Sequence, residues 1–210
     1  MVHCMNLIVP ESAAGRVYIP QEDIDTWRDL FASAERRIKE IEHGNEGLDI
    51  PAINELRYAG FHLLEVLKHG NTNSVHERQK VTAHIKRAIY DASEALIGIQ
   101  LKDICKFQDD YRLVVVAEVI PEYQKLMESA EAASELVRGP HKDHDNRDCY
   151  YEEALKYVDE LKRVNRILRA GRQELNKRLE IKRQTSRRWA IGLAVGAISA
   201  AFTAVIRLFG

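Results

Sequence analysis

The sequence predicts an all-α protein with a helical-bundle cytoplasmic head, a long basic helix and a single C-terminal transmembrane helix. Three observations predict it. Apolar residues recur every three or four positions along most of the chain, as in amphipathic helices. Glycine and proline number only 11 and 5 among 210 residues, a balance that favours long helices with short connections. Residues 189–206 contain no charged side chain.

We expect five segments along the chain. Residues 1–20 form an N-terminal arm, residues 21–138 the head, residues 139–149 a linker, residues 150–188 the basic helix and residues 189–209 the anchor. The first segment lacks the basic start and long apolar core of a secretory signal. The three cysteines are odd in number and widely spaced, which predicts free thiols in a reducing compartment.

Two helices with apolar stripes begin the head. The first is expected from about Gln21 to His43, and the second from Pro51 to Gly70. The stripe of the first helix comprises Ile24, Trp27, Phe31, Ala34, Ile38 and Ile41. The stripe of the second comprises Ile53, Leu56, Gly60, Leu63 and Leu67, widened by Leu64. These spacings predict that each helix buries one face.

The rest of the head is expected to add two more helices. The third begins near Val75 and continues to about Val119, since no strong breaker precedes Pro121. Its buried face comprises Val81, Ile85, Ala88, Ala92 and Leu96. The run 113–120 also has strand propensity, but no second strand is available to pair with it. The fourth helix runs from Pro121 to Val137.

The segment 138–149 is the clearest linker, because Gly, Pro, Asp and Asn are concentrated there. His141, Asp143, His144 and Asp148 have the chemistry of metal ligands. However, a solvated linker provides no rigid scaffold to fix their geometry. We therefore expect no metal site and no cofactor.

The basic helix carries a seven-residue repeat. Its repeating positions are Ala154, Leu161, Leu168 and Leu175, with Val158 and Leu179 in the companion position. Asn165 and Arg172 interrupt that companion position. The repeat predicts either packing against the head or a modest intermolecular coiled coil, and the sequence does not separate the two.

Charge is distributed unevenly although the chain carries a net charge of only −1. The segment from Lys162 to Arg188 carries +9, and everything before it sums to −11. Anionic membrane lipids are the first expected partner, because basic residues next to an anchor are attracted to such surfaces. Cations farther from the membrane are expected to pair with the acidic head. Nucleic acid comes third, because no aromatic residues are interleaved.

The anchor prediction rests on length and on flanking residues. Eighteen uncharged residues span about 27 Å as a helix, close to the thickness of a bilayer core. Trp189 occupies the expected position of an interfacial aromatic residue. Lys182, Arg183, Arg187 and Arg188 precede it, so the positive-inside rule places the head in the cytoplasm. The alternative is a buried hydrophobic helix within a globular core.

Small residues recur every fourth position in the anchor, at Gly192, Gly196, Ala200 and Ala204. Such a ridge lets two helices approach closely in lipid. It therefore predicts a homo-oligomer that associates in the membrane. The alternative is that small residues are simply common in membrane segments.

Arg57 and His62 form an R-x4-H pair within NELRYAGFHLL (54–64). This pair resembles the motif of HEPN ribonucleases, small all-helical domains whose paired Arg and His residues cleave RNA at a dimer interface. The resemblance covers roughly residues 20–137. It implies proton transfer by His62 and phosphate stabilisation by Arg57, without a metal. Tyr58 departs from the family pattern, in which a polar residue usually follows the arginine.

The geometry of one helix does not bring Arg57 and His62 together. The two positions differ by about 140° around a helix axis, so a partner copy would have to complete such a site. The alternative role for these side chains is structural, with ion pairs to nearby acids such as Glu55, Glu65 or Asp91. A second polar ridge is formed by His84, Arg87 and Asp91. It is expected to be a solvated face with salt bridges. The alternative is that it joins Arg57 and His62 in a cluster that binds an anion or nucleotide.

Two classes of function follow. In the first, the head is a sensing or protein-interaction module, and the protein acts at the membrane through self-association, as a toxin-like or host-defence effector would. In the second, the head is a membrane-held ribonuclease with RNA as its substrate. A passive membrane adaptor for an unidentified protein partner is a third possibility. We expect the first of these functions, an interaction module that acts at the membrane.

Overall fold

A computed structural model describes residues 19–45, 47–69, 74–139 and 147–209; beyond position 189 it describes only the side chains of Ile191, Leu193, Val195 and Gly196. Within these residues the elements are five helices and one short 3-10 turn. They are α1 (Gln21–Asn45), α2 (Ile50–His69), α3 (Ser74–Asp110), the 3-10 turn Val116–Glu118, α4 (Tyr123–Arg138) and α5 (Arg147–Phe209). The described part of the chain contains no strand, which confirms the all-α prediction.

The chain divides into two compact units. Unit 1 comprises Met1–Ile99 and Pro140–Val158, and unit 2 comprises Gln100–Gly139 and Asp159–Gly210. Both α3 and α5 contribute residues to each unit, because each helix passes the division point without a break. Each unit is described separately below.

Helix starts in unit 1 follow ordinary capping chemistry. α1 begins after Pro20, whose carbonyl accepts the Asp23 and Ile24 amides. The acidic residues Glu22 and Asp23 occupy its first turn, where they complement the helix dipole. α2 begins after Asp49, whose Oδ1 atom accepts the Ala52 amide at 3.4 Å.

The core of unit 1 is formed by α1, α2 and α3. Trp27, Ala59, Val81 and Ile85 form one buried cluster, with Leu56 and Leu63 packed against it. The other predicted residues of α1 are divided: Ala34, Ile38 and Ile41 are buried, whereas Ile24 and Phe31 are exposed. All five predicted residues of α3 are buried.

The buried face of α2 differs from the predicted stripe. Ala52, Ala59 and Val66 are buried, whereas Leu64 and Leu67 are exposed, as is Gly60. Of the predicted residues, Leu56 and Leu63 pack against the core, whereas Leu64 and Leu67 point outward. The buried face is therefore centred on Ala52, Ala59 and Val66, which recur at a spacing of seven residues.

The prediction that α3 continues to Val119 is wrong. α3 ends at Asp110, and the amide of Val114 then bonds the Tyr111 carbonyl at 2.9 Å in a turn. Tyr111, Val116 and Ile120 are all buried. The chain therefore leaves the helix in order to bury these three side chains before α4 begins.

In unit 2 the repeat of α5 is buried within the chain. Leu161, Leu168, Leu175 and Leu179 are buried, and so is Asn165, whose Nδ2 atom donates to the main-chain and side-chain oxygens of Gln100 at 3.0 and 2.9 Å. The Tyr111 hydroxyl donates to Asn176 at 2.8 Å. The basic helix therefore packs against α3, which accounts for the polar residue in the repeat.

Among the residues that the structure describes, no helix combines the length and the apolar character needed to cross a membrane. Most side chains of the predicted anchor lie outside the described residues. The transmembrane anchor therefore stays a prediction.

Candidate functional site

Two histidines of unit 1 lie face to face between α2 and α3. The rings of His62 and His84 stack with centroids 5.0 Å apart and planes inclined by 12°. His62 lies three residues after the buried Ala59, and His84 lies one residue before the buried Ile85. Ala59 and Ile85 belong to the same buried cluster, and their packing brings the two histidine rings together. We call His62 and His84 the histidine pair.

Each member of the histidine pair has its own carboxylate. Nδ1 of His62 lies 2.6 Å from Oε2 of Glu77, and Nδ1 of His84 lies 2.7 Å from Oε2 of Glu55. All four side chains are largely buried, with between 15% and 20% of each exposed. Partial burial strengthens such contacts relative to a fully solvated pair. The arrangement fixes the orientation of both rings.

Two cations border these carboxylates. Lys80 Nζ lies 2.8 Å from Glu77, and Arg87 lies 3.8 Å from Glu55. The Lys80 hydrogen bond, followed by that of His62, lowers the pKa of Glu77. Both carboxylates therefore take part in small charged networks and are already committed to partners.

The structure does not bring Arg57 and His62 into one site. Arg57 is exposed and donates to Asn54 at 2.9 Å on its own helix, whereas His62 faces Glu77 across to α3. The sequence had suggested other acids as partners. Glu77 was missed because its position depends on how α3 packs on α2, and no local spacing reveals that.

The second predicted polar ridge is partly assembled. His84 and Arg87 both face Glu55. Burial, followed by the nearby carboxylates of Glu55, Asp49 and Glu94, raises the pKa of Asp91 to about 6. Carboxylates thus outnumber cations around this ridge. An anion or nucleotide site is disfavoured here, and Arg57 lies outside the cluster.

The outer face of α2 carries four large apolar side chains together with the exposed cations Arg57 and Lys68. Tyr58, Phe61, Leu64 and Leu67 are each between 44% and 64% exposed. Tyr58 and Phe61 also contact the histidine pair, with ring centroids 5.6 Å from His84 and 5.5 Å from His62. A group of large exposed apolar side chains on one helix face is typical of an interaction surface.

In unit 2, the cations of α5 fall into two groups. Arg169 and Arg172 pair with Asp103 and Asp110 of α3 at 2.9 and 3.0 Å, and Arg178 pairs with Glu118. Lys182, Arg183, Arg187 and Arg188 form the second group, which we call the basic cluster. All four are exposed. These three upstream cations therefore pair with acids of unit 2, whereas the basic cluster is exposed and, of its members, Lys182 also donates to the Leu113 carbonyl.

Beyond the basic cluster, α5 exposes large apolar side chains. The last buried residue of the helix is Leu179 among the side chains that the structure describes. Trp189, Ile191, Leu193 and Val195 are then 57–71% exposed. Gly196 of the predicted ridge is exposed, and an added Cβ would meet no atom within 4 Å among the described residues. The side chains of Gly192, Ala200 and Ala204 lie outside the described residues.

Within the part of the chain that the structure describes, no group of three or more His, Cys, Asp or Glu side chains could hold a metal ion. The linker residues His141, Asp143 and His144 and the side chain of Asp148 lie outside the described residues.

Comparison with known proteins adds no family assignment. No protein-family model, no curated protein and no solved structure matches the chain.

Proposed function

We propose that this chain is a membrane-held helical interaction protein with its head in the cytoplasm. On this proposal α5 passes from unit 2 into the bilayer, and the outer face of α2 contacts a protein partner. The observation that carries the proposal is the set of exposed apolar side chains on α5 from Trp189 onward.

These side chains lie on two opposite sides of the helix. Trp189 and Ile191 differ by about 200° around the axis, so they lie on opposite sides. Leu193 and Val195 divide in the same way. A protein partner that contacted one side would leave the other side exposed to water, whereas lipid surrounds the helix completely. A lipid environment is therefore the best fit to the pattern.

Charge gives the orientation. The basic cluster precedes Trp189 directly and contains no acidic residue. Such residues are retained on the cytoplasmic side of membrane segments. Because the cluster is exposed, its cations are available to anionic lipid headgroups.

Self-association is the proposed mode of action. Gly196 belongs to the ridge of small residues, and no atom of the described residues lies within 4 Å of a Cβ added there, so a second α5 helix can approach at that point. Clustering of several anchors would disturb the bilayer, which is the activity of a toxin-like or defence effector.

Extraction from membranes tests the anchor. Ile198→Arg with Ala201→Arg places two charges near the centre of the proposed span, where each costs about 2.5–3.5 kcal/mol. We expect wild-type chain in the carbonate-washed pellet and the double variant in the supernatant. Ile181→Arg is the matched control, because Ile181 is an exposed apolar residue of the same helix before Trp189. Wild-type chain in the supernatant would rule out the anchor.

A HEPN-like ribonuclease is the second candidate. The observation that favours it is the histidine pair, in which His62 has a carboxylate partner suited to general acid–base chemistry. Arg57 is exposed, so a partner copy could place it near His62 of this chain. The resemblance and this geometry together support the proposal.

RNA cleavage by the detergent-solubilised full chain tests the second candidate. We expect Arg57→Ala and His62→Ala each to abolish cleavage, without any effect of chelators. His43→Ala is the control, because His43 is exposed on α1 and its Nδ1 atom lies 2.6 Å from the Lys39 carbonyl of the same helix. Intact RNA from folded protein would exclude this activity.

Dye release from vesicles separates the effector from a passive adaptor. Reconstituted full chain should release a trapped dye if clustered anchors perturb the bilayer. Stable vesicles together with intact RNA would leave the adaptor as the remaining function.

A further inference from the structure

The turn between α3 and α4 carries two exposed apolar side chains. Leu113 and Val115 are 52% and 60% exposed, although Tyr111 and Val116 on either side are buried. Because Tyr111 and Val116 are buried in unit 2, the turn is anchored at both ends, and Leu113 and Val115 project from it into solvent. The exposed pair is therefore available to contact a surface outside unit 2.

Several contacts attach this turn to α5 within unit 2. The Tyr111 hydroxyl donates to Asn176, Arg178 pairs with Glu118, and Lys182 Nζ donates to the Leu113 carbonyl at 2.5 Å. The last contact is the closest to the proposed anchor. It joins the turn directly to a residue of the basic cluster.

Helix geometry places the turn close to the proposed membrane surface. Lys182 precedes Trp189 by seven residues, or about 10 Å along the helix axis. The polar headgroup layer is roughly 5–8 Å thick. Membrane helices are commonly tilted by about 20°, and a tilt toward the turn would close the remaining distance.

We propose that the turn at residues 111–119 is a second membrane contact, in which Leu113 and Val115 enter the headgroup region of an anionic bilayer beside the basic cluster. The proposal rests on the anchor proposed above. It adds that unit 2 is fixed in tilt and depth by two elements, the anchor and the turn.

The chemistry favours lipid as the occupant of this surface. Arg112 adjoins the exposed pair and is itself exposed, and the basic cluster follows on α5. Apolar side chains flanked by cations match an interface whose headgroups are anionic and whose deeper layer is apolar. Four exposed acids border the turn: Asp109, Asp110, Glu118 and Glu122. Asp110 and Glu118 are paired with Arg172 and Arg178. Asp109 and Glu122 contribute −2 against +5 from Arg112 and the basic cluster, so these charges sum to +3.

Position-specific fluorescence tests the proposal. The three native cysteines are replaced by serine, and a polarity-sensitive probe is attached at Val115→Cys, Lys125→Cys or Val195→Cys. The full chain is then reconstituted in vesicles that contain phosphatidylserine. Lys125 is the matched control, because it is an exposed residue on α4 of the same unit.

We expect the probes at positions 115 and 195 to shift to shorter wavelength and to be quenched by a lipid-borne nitroxide. The probe at position 125 should remain accessible to aqueous iodide. A water-accessible probe at 115 with a lipid-quenched probe at 195 would overturn the turn contact alone. A water-accessible probe at 195 would overturn the anchor, and the turn contact with it.

A second copy of the chain could also cover the turn. In that case the probe at 115 would shift to shorter wavelength without quenching by the lipid-borne nitroxide. This result would overturn the proposal. A label at Leu113→Cys repeats the measurement at the neighbouring exposed position and should give the same result as the label at 115.

Discussion

Ile120 packs directly onto Gly171: a Cβ added at Gly171 would lie 2.7 Å from Cδ1 and 3.0 Å from Cγ1 of Ile120. Ile120 is buried, so its side chain has little room to move. The absence of a side chain at Gly171 therefore lets the turn before α4 seat itself against α5. A glycine inside a helix otherwise costs about 1 kcal/mol relative to alanine.

This contact predicts a change of sign between two backgrounds. Gly171→Ala should destabilise the wild-type protein by about 1 kcal/mol, because overpacking outweighs the gain in helix propensity. In an Ile120→Ala background the same substitution should stabilise the protein by up to about 1 kcal/mol. Denaturant unfolding of the four proteins in detergent measures both effects. Equal effects in both backgrounds would show that Ile120 does not restrict position 171.

Thr82 should stabilise unit 1 through Trp27. The indole Nε1 of Trp27 donates to the Thr82 hydroxyl at 2.8 Å, and that hydroxyl donates to the Arg78 carbonyl. Thr82→Val keeps the shape but leaves the indole without an acceptor, which should cost about 1–3 kcal/mol. Thr82→Ser is the control and should retain most of the stability. A smaller loss for valine than for serine would contradict this role.

Asp91 should make stability depend on pH. Because burial and neighbouring carboxylates raise its folded pKa to about 6, the folded protein holds a proton that the unfolded chain has already lost. The contribution of Asp91 to the free energy of unfolding is therefore fully present below the ordinary pKa of an aspartate, and it is lost as the pH rises through about 6. Asp91→Asn should raise the melting temperature near neutral pH and flatten its decline above pH 4. The exposed Asp109→Asn is the control.

Gly196 should control association in lipid. Gly196→Ile adds a branched side chain to the ridge of small residues and should weaken chemical crosslinking between reconstituted chains. Because no atom of the described residues lies within 4 Å of an added Cβ, folding of the single chain should be unaffected. Ile191→Leu alters the same helix without changing its bulk and is the control. Crosslinking that persists undiminished in Gly196→Ile would exclude the ridge as the contact.

The basic cluster should set the orientation of the protein. Replacing Arg187 and Arg188 with glutamate removes the charge bias next to the proposed anchor. We expect the head to become accessible to protease from the opposite side of the membrane in part of the population. Arg163→Glu with Arg166→Glu is the control, because both residues lie on α5 far from the proposed anchor. Unchanged protease protection would show that the cluster does not set topology.

Sequence spacing predicted the core faces of α3 and α5 well and those of α1 and α2 only in part, because Ile24, Phe31, Leu64 and Leu67 are exposed. The periodic residues of α3 and α5 are buried, because each of these faces is defined by branched or long apolar side chains. On α2 the large apolar residues outnumber the buried positions. Ala52 and Ala59 provide the close contact instead, and hydrophobicity alone gives small residues little weight.

The candidate site was predictable only in part. The sequence identified His62 and His84 as polar positions worth attention, and it indicated that Arg57 and His62 diverge around their helix. It did not identify their stacking or the partnership with Glu77. Residues 62, 77 and 84 lie on two helices, so their distances depend on the packing of α2 against α3.

The sequence by itself determined the helical class, the uneven charge and the uncharged segment from Trp189 onward, because composition and periodicity are local properties. Tertiary structure alone decided which face of α2 is buried, where α3 ends, and that α5 packs against α3 instead of pairing in an intermolecular coiled coil. These outcomes depend on steric fit between distant segments, as at Gly171 and Ile120. Spacing along the chain carries no information about such contacts until the helices are packed together.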